Sequence, residues 1–218
     1  IELVKTIEEL NVKVIDSSKT YYYLGDKWMF FLKCKEHNIP TPDTILLSEN
    51  IPVALKELKQ FNRWPVVLKR IEGTTGDYVF KAENIPEAER VINKIWKKGS
   101  SRLPIIAQEM VKSPCYRVTV IDGNIEQTAR KKAKGWKATG VKDKFNKKFP
   151  IDNDLREVIN KTMKMADIKI CGIDLLKRLG GWCVLEINAE PAFDFIAGER
   201  TKLISKTLDF LVKEIRRK

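Results

Sequence analysis

The sequence has little of the chemistry that histidine and cysteine supply. It has one histidine, His37, and four cysteines, none in a C-x-x-C pair, which leaves no credible zinc site. Cys34, Cys115, Cys171 and Cys183 are widely spaced, so we expect thiols rather than disulfides, in a reducing compartment. No constellation of serine, cysteine and histidine suggests a nucleophilic triad.

Long apolar runs are absent as well. No stretch approaches the roughly 20 apolar residues of a membrane-spanning helix, and no secretory hydrophobic region opens the sequence. We therefore expect a cytoplasmic protein without membrane contact. The first residue is Ile1 rather than Met, so we expect a fragment. Its 218 residues suit one large domain or two small ones.

Acidic residues are scarce in one segment, 130–148. The formal net charge of the chain is +12, and this segment, with nine Lys or Arg and one acid, contributes +8 of it. The excess is therefore local. Such a segment could hold polyphosphate, an acidic substrate or RNA, and a solvated loop without a specific role is an equally common alternative.

Capping residues and apolar spacing predict where helices begin. We expect helices after Asp26, Asn50, Asn84 and Asp152, and a last helix from about 201 to 217. β-prone runs lie between them, several joined by tight turns, which indicates an α+β fold with largely antiparallel sheets. We expect a division near Met110, with a small α/β lobe before it and a second sheet after it.

The most informative feature is a predicted hairpin formed by segments 170–178 and 182–188. If its turn centres on Gly180, Asp174 faces Glu186, and Asn188 projects from the same face as Glu186. Two carboxylates and an amide oxygen suit Mg²⁺, which nucleotide phosphates usually share. A salt-bridged or solvated hairpin end is the alternative that the strands alone leave open.

Four further segments suggest nucleotide chemistry. The loop Gly73-Thr74-Thr75-Gly76 joins two predicted strands and offers flexible backbone amides to phosphate oxygens. Lys69 ends the preceding strand, and Lys27 opens a helix, where a cation opposes the helix dipole. Gln108-Glu109-Met110-Val111 ends an apolar strand at the expected junction of the lobes, where backbone groups could bind adenine. Taken singly, each of these also fits an ordinary loop, helix or core strand.

Two arginines, Arg117 and Arg130, lie on the strands of another predicted hairpin, at 116–121 and 125–129. An arginine beside the carboxylate hairpin could clamp a phosphate or a carboxylate with two parallel hydrogen bonds. Surface arginines on strands are common, so neither one is specific by itself.

In this order the segments resemble the ATP-grasp superfamily, and most closely its RimK-type branch of carboxylate–amine (amino-acid) ligases. The resemblance runs from about residue 20 to the C-terminus. The matching motifs are Ile71-Glu72-Gly73-Thr74-Thr75-Gly76, Gln108-Glu109-Met110-Val111, Cys171-Gly172-Ile173-Asp174-Leu175-Leu176 and Glu186-Ile187-Asn188-Ala189-Glu190-Pro191.

The resemblance implies an ATP-grasp fold in which two α+β lobes clamp a nucleotide. Residues 25–111 would form the small lobe, 112–218 the C-terminal lobe with the metal site, and 1–24 a remnant of the usual N-terminal domain. Because that domain lines part of the acceptor site in the family, the fragment alone could be inactive.

The resemblance also implies roles for individual residues. Lys27 and Lys69 would contact phosphates, and Arg130 would steady the γ-phosphate or an acyl-phosphate, so that Lys69 and Arg130 are the catalytic candidates. Asp174, Glu186 and Asn188 would hold two Mg²⁺ ions, with Mn²⁺ as an alternative. The further nucleotide-binding residues implied are Gly73, Thr74, Thr75, Gly76, Gln108, Glu109, Met110, Val111 and Arg117.

The chain departs from the family pattern at three places. Asp77-Tyr78 stands where a further glycine usually ends the phosphate loop. Cys115-Tyr116 stands where relatives have an acid near the ribose. Ala189-Glu190-Pro191-Ala192-Phe193 replaces a run of small residues that precedes a glycine in the family, and we expect this to change the substrate end of the site.

The implied reaction is ATP-dependent amide formation through an acyl-phosphate. It would add an amino acid, such as glutamate, to the carboxylate of a protein, cofactor or carrier. Two alternatives remain open, namely an ATP-grasp kinase and a non-enzymatic RNA-binding module that uses segment 130–148. The sequence identifies neither the acceptor nor the amine; relatives often form homodimers or homotetramers.

Overall fold

The computed structural model describes residues 1–73, 76–98, 102–131, 135–137 and 145–217, with the backbone alone at positions 131, 145 and 146. The helices in these ranges are α1 (Glu2–Glu9), α2 (Ser18–Gly25), α3 (Lys27–Glu36), α4 (Ile51–Phe61), α5 (Ile85–Lys98), α6 (Asn153–Ala166) and α7 (Arg200–Arg216). The strands are β1 (Thr44–Leu47), β2 (Val66–Arg70), β3 (Val79–Ala82), β4 (Ile105–Glu109), β5 (Tyr116–Ile121), β6 (Asn124–Lys131), β7 (Phe145–Lys147), β8 (Ile170–Arg178) and β9 (Gly181–Asn188).

The first sheet has the strand order β1-β4-β2-β3, and every neighbouring pair is antiparallel. Helices α4 and α5 pack on it. The Asn50 side chain accepts a hydrogen bond from the backbone N–H of Val53, and the Asn84 side chain accepts one from Glu87. Both predicted caps are therefore present, and they fix where the two covering helices begin.

The second sheet has the order β7-β6-β5-β8-β9 and is also antiparallel throughout. Asp122 and Gly123, both at positive φ, form the two-residue turn between β5 and β6, as type I′ turns require. Helix α6 begins after Asp152, whose side chain accepts from the backbone N–H of Leu155. Leu155 and Ile173 belong to the core between α6 and this sheet.

The register of the β8–β9 hairpin was predicted correctly at the functional end. Asp174 pairs with Glu186, whereas Arg178 pairs with Gly181 at the turn. The turn therefore has two residues, one fewer than predicted, and this alone would move the partner of Asp174 by one position along β9. A β-bulge between Asp174 and Leu175 adds one residue to β9 and so restores the pairing of Asp174 with Glu186.

The segment before α3 contains a helix and contacts the second sheet. Ser17 caps α2, a helix that the polar run before it did not predict. The Asp16 carboxylate accepts from the backbone N–H groups of Lys169 and Ile170, and Thr20 donates to the Asp167 carbonyl. Residues 16–20 are thus held against the start of β8, and the interpretation of 1–24 as a remnant of another domain stays a prediction.

Within the described part of the chain, no helix has the length and apolar character needed to cross a bilayer. The thiols of Cys34, Cys171 and Cys183 are buried and form no disulfide, as expected.

Candidate functional site

The carboxylate side of the site lies on the β8–β9 hairpin. Asp174 pairs with Glu186, and Asn188 pairs with Gly172, so the two carboxylates and the amide lie on one face of the second sheet. Asp174 is only 3% exposed, and Glu186 is half-buried. The structure therefore brings these three side chains together, while their role as metal ligands stays a prediction.

The surroundings of Glu186 disfavour the ionised form of its carboxyl group. Burial raises the pKa of the Glu186 carboxyl to about 7, and the nearby Asp174 carboxylate acts in the same direction, whereas Lys69 and Arg117 oppose the rise. Two facing carboxylates in a poorly hydrated place repel each other, and a cation between them relieves the repulsion.

Arg117 supplies part of that positive charge. It lies beside Asp174 on the neighbouring strand β5, and its Nε and Nη2 donate to the two Asp174 carboxylate oxygens at 2.5 and 2.9 Å. Gly172 makes this geometry feasible, because a Cβ there would clash with Arg117 Nη1. The bidentate pair satisfies Asp174 and leaves Glu186 without an ion pair among the residues that the structure describes.

The cationic side of the site comes from the first sheet and α3. The Lys69 ammonium on β2 donates to Gln108 Oε1 at 2.6 Å, and the Lys27 ammonium donates to the Gly73 carbonyl at 2.8 Å. Burial lowers the pKa of Lys69 to about 8, and burial also lowers the pKa of Lys27. Both lysines are thus held by neutral acceptors, so their charges remain available to an anion.

The two sides meet at a small cavity between the sheets. Its volume is about 20 Å³, and its lining includes Lys27, Lys69 and Gln108 from one side and Val184, Leu185 and Glu186 from the other. Thr41 also lines it, and the buried Thr41 hydroxyl has no hydrogen-bond partner among the described residues. No local pattern in the sequence marks Thr41, because its position depends on tertiary packing.

Segment 108–111, which is predicted from the sequence to lie at the junction of the lobes and is called the hinge below, lies where β4 ends beside the second sheet. The Glu109 carboxylate accepts from Arg178 at 2.6 Å and from the Asp43 backbone N–H at 3.0 Å, and the Glu109 backbone N–H donates to the Asp43 carbonyl. Met110 and Val111 are half-buried beyond the strand. Arg178, which the sequence did not single out, therefore ties the β8–β9 hairpin to the hinge.

The structure does not bring Arg130 to the carboxylates. Arg130 pairs with Tyr116, and its guanidinium lies over the Tyr116 ring, 6.0 Å from the centroid. Since paired residues share a face and neighbours along a strand alternate, Arg130 lies on the face opposite Arg117. Its assignment to a phosphate stays a prediction that this placement does not favour.

The predicted phosphate loop is described only at its ends. Thr74 and Thr75 lie outside the described residues, whereas Gly73 and Gly76 both have positive φ, a conformation that favours glycine. The Lys137 ammonium donates to the Gly76 carbonyl. Lys137 therefore links the basic segment to this loop, a contact that residue type and spacing alone did not indicate.

The oxygen donors of the carboxylate face decide whether this face fits a magnesium ion. The described residues contain no cluster of three or more His, Cys, Asp or Glu side chains able to hold a metal. The set on this face is instead two carboxylates and one amide oxygen. Mg²⁺ typically takes one or two protein carboxylates and completes its shell with phosphate oxygens and water, so these donors fit the ion when a nucleotide is bound.

Two antiparallel α+β lobes around a cleft, with lysines on one side and carboxylates on the other, define an ATP-grasp domain. The chain belongs to the RimK-like ATP-grasp domain family, whose sequence model matches residues 25–210.

Curated relatives are ligases by name. The chain is 26% identical over 192 residues to the coenzyme gamma-F420-2:alpha-L-glutamate ligase of Methanocaldococcus jannaschii, covering 87% of this chain and 66% of that one. It is 26% identical over 193 residues to the glutamate–LysW ligase of Sulfolobus acidocaldarius, covering 86% of this chain and 68% of that one. Of a probable alpha-L-glutamate ligase of Rhodopirellula baltica it spans 56%, at 23% identity over 99% of this chain.

Solved structures share the fold. A RimK domain ATP-grasp protein of Sphaerobacter thermophilus superposes with a TM-score of 0.78 at 14% identity, and the D-alanine–D-alanine ligase of Bacillus anthracis with a TM-score of 0.77 at 15% identity. Each match covers 96% of this chain and 75% of the other. ATP-grasp ligases use ATP and Mg²⁺, and structures of such ligases contain ATP, or Mg and ADP.

Proposed function

We propose that this chain is the nucleotide-binding part of an ATP-dependent carboxylate–amine ligase. The reaction would add an amino acid, such as glutamate, to a carboxylate of a protein, cofactor or carrier. Membership of the RimK-like family and the glutamate ligases among its relatives support the reaction class. The observation that carries the proposal is the cavity at which Lys27 and Lys69 meet Glu186 across the two lobes.

The lysine side would hold the triphosphate. Among the described residues, the ammonium groups of Lys69 and Lys27 donate to an amide oxygen and a backbone carbonyl close to the cavity. Their side chains would orient the phosphates and offset the repulsion between an incoming carboxylate and the γ-phosphate. The loop from Gly73 to Gly76 would cover the phosphates with its amides.

The carboxylate side would hold the metal. Asp174, Glu186 and Asn188 would bind two Mg²⁺ ions, or Mn²⁺, together with phosphate oxygens. The ions supply positive charge beside the triphosphate. Arg117 keeps Asp174 oriented through its two hydrogen bonds.

The hinge would hold the adenine. Gln108 lines the cavity, and the backbone at Glu109 and Val111 would meet the edge of the base. The half-buried Met110 would pack on its face.

The chemistry needs no side-chain nucleophile. The acceptor carboxylate attacks the γ-phosphorus, the bond to the β–γ bridging oxygen breaks, and ADP leaves. An amine then attacks the carbonyl carbon of the acyl-phosphate and releases inorganic phosphate, while a proton passes from nitrogen to solvent. Lys69 acts throughout as a fixed positive charge.

We also propose a lobe division, an oligomeric state and a compartment for the whole protein. Residues 25–111 and 112–218 would be the two lobes of the clamp, and the whole protein would form a homodimer or homotetramer in the cytoplasm. The buried, unbridged thiols of Cys34, Cys171 and Cys183 support a reducing compartment.

An ADP-release assay on the full-length protein tests the proposal. Candidate carboxylates are crossed pairwise with amino acids, and the acceptor is weighed by mass spectrometry. Amine-dependent ADP release and a gain of one amino-acid residue support the ligase. ADP release without any amine, with a phosphorylated product, would indicate a kinase. Binding of RNA that is indifferent to Asp174→Asn, without ADP release, would indicate the RNA-binding alternative.

A further inference from the structure

The chain passes twice between the cores of the two sheets. The core of the first sheet is formed by buried residues between Leu47 and Ala107, and the buried residues that flank this stretch, such as Ile39, pack in the core of the second sheet. The two connecting segments are 40–43 and 109–115, which we call the first and the second crossing. The angle between the two sheets therefore depends on how these crossings are held.

Arg178 bonds to both crossings at once. It is the last residue of β8, at the turn of the hairpin, and its Nη1 donates to Glu109 Oε1 at 2.6 Å, at the start of the second crossing. Its Nη2 donates to the Thr41 carbonyl at 3.1 Å, in the first crossing. The same Glu109 oxygen accepts from the Asp43 backbone N–H at 3.0 Å. One guanidinium therefore joins the hairpin and the two crossings in a single network.

The hairpin that carries Arg178 also carries the carboxylates of the site. Glu186 lies on its second strand, whereas Lys69 is held by Gln108, the neighbour of Glu109 on β4. A rotation of the first sheet about the crossings would therefore move Lys69 relative to Glu186. These two side chains line a cavity of only about 20 Å³, so even a small rotation would change the space between them.

We propose that Arg178 is a positioning residue that fixes the angle between the two sheets and thereby the place of Lys69 opposite Glu186. The planar guanidinium presents its N–H groups in a rigid fork, so it can bond to two acceptors in fixed directions, which a rotating ammonium cannot do. Arg178 acts through Glu109 and Thr41, and the inference requires no contact between Arg178 and a substrate.

Without the guanidinium, the crossings stay attached to the hairpin by simpler contacts. The Val184 backbone N–H donates to the Pro40 carbonyl at 2.8 Å, and the Lys177 backbone N–H donates to the Ser113 hydroxyl at 2.9 Å. Each bond ties one crossing at a single point, and a single point permits rotation. A wider range of angles lowers the fraction of molecules in which the cavity is assembled, and the apparent affinity for a ligand of the cavity falls with that fraction.

Double electron–electron resonance on the full-length protein, without nucleotide or substrates, measures the relative position of the two sheets directly. Spin labels on Lys59→Cys in α4 and Lys164→Cys in α6 report the distance, because both positions are exposed and the four native cysteines are buried. We expect a narrow distance distribution with Arg178 present, and a distribution at least about twofold wider in Arg178→Met, which samples more angles. An unchanged distribution in Arg178→Met would overturn the inference.

Two further variants sharpen the test. Arg63 pairs with Asp43 of the first crossing at 3.3 Å, but it follows α4 and so lies on the side of the first sheet; Arg63→Met should keep the narrow distribution, and equal widening there would contradict the inference. Arg178→Lys keeps the charge but cannot hold both crossings, so it should widen the distribution as well. A Lys variant as narrow as the wild type would overturn the role of the double contact. Should Arg178→Met not fold, Arg178→Lys carries the same test.

Kinetics separate a positioning role from a general structural one, and this part rests on the proposed function. In Arg178→Met we expect the KM for Mg·ATP to rise about tenfold while kcat at saturating Mg·ATP stays within about twofold, because bound nucleotide restores the angle. Mg·AMP-PNP should likewise narrow the distance distribution of this variant. A lower kcat with an unchanged KM would overturn the inference. A wild type that binds no nucleotide would refute the proposed function, whereas the distances measured without nucleotide still decide the role of Arg178.

Discussion

The two sides of the cleft hold their charges in different ways. On the carboxylate side, Arg117 binds Asp174 through two buried hydrogen bonds, and Glu186 has a raised pKa. On the lysine side, the ammonium groups of Lys27 and Lys69 are held by a backbone carbonyl and an amide oxygen. One side therefore contains a buried ion pair beside a carboxyl group whose ionisation is opposed by burial and by Asp174. On the other side, within the part of the chain that the structure describes, the two ammonium groups donate their hydrogen bonds to neutral acceptors.

This difference supports the proposed assignment of an anion to the lysine side and of a cation to the carboxylate side. Neutral acceptors position a lysine without neutralising it, so the charge remains for an anion such as a phosphate. Arg117 fixes Asp174 and leaves Glu186 in need of a cation. The buried Arg117–Asp174 pair is therefore expected to contribute most to the stability of the fold. Glu186, Lys27 and Lys69 are expected to contribute most to activity.

The largest expected effect is the loss of the buried ion pair. Arg117→Ala leaves the Asp174 carboxylate buried and unpaired, and we expect it to lower the free energy of unfolding by about 3–5 kcal/mol. Urea denaturation followed by circular dichroism measures this. Arg63→Ala is the matched control, because Arg63 pairs with Asp43 at 3.3 Å on the surface and should contribute about 1 kcal/mol or less. Equal losses in both variants would contradict the comparison.

Glu186→Gln is expected to affect activity instead of folding. Removing one carboxylate from the proposed metal face should lower amine-dependent ADP release at least about 100-fold, or roughly 2.7 kcal/mol. The free energy of unfolding should not fall, since the substitution also removes the repulsion between Glu186 and Asp174. Glu157→Gln, at an exposed surface pair with Lys161, should retain activity. If Glu186→Gln remained active, the proposed metal role would be wrong.

Lys69→Met tests the lysine side. It keeps the length of the side chain but loses the charge, and a charge-assisted hydrogen bond to phosphate contributes about 2 kcal/mol, so we expect Mg·ATP to bind roughly 30-fold more weakly. Calorimetry measures the affinity directly. Lys33→Met is the control, because Lys33 pairs with Glu36 on the surface of α3. Equal affinities for the two variants would show that Lys69 does not meet the phosphates.

The smallest effect concerns the space that Arg117 needs. In Gly172→Ala the added Cβ would meet the Arg117 guanidinium, so we expect a loss of about 1–2 kcal/mol, at the low end for overpacking because the crowded atom belongs to a long side chain. Gly180→Ala, where a Cβ would meet nothing within 4 Å, is the matched control. Thermal denaturation of the two variants should separate them, and coincident curves would contradict the role of Gly172.

Local chemistry made much of the fold predictable from the sequence. The capping side chains of Asp26, Asn50 and Asp152 mark three helix starts as expected, since each cap needs only its neighbours in sequence. The Asp174–Glu186 pairing was predicted from the turn and the alternation, although the actual turn is one residue shorter and a β-bulge restores the register.

The features that could not be predicted from the sequence are those that depend on tertiary packing. The face that Arg130 occupies depends on its pairing with Tyr116, and strand propensity does not fix pairing. The contacts of Arg178 with Glu109 and of Thr44 with Gln108 join residues 69 and 64 positions apart. No local pattern marks such residues, so the positioning part of the site required the structure.

A crystal structure of the protein with Mg²⁺ and AMP-PNP tests the central claim most directly. The account predicts the triphosphate between the two sides of the cleft, near Lys27 and Lys69, with at least one metal ion about 2.1 Å from oxygens of Asp174 and Glu186. A nucleotide bound elsewhere, or a metal bound without these two carboxylates, would contradict it.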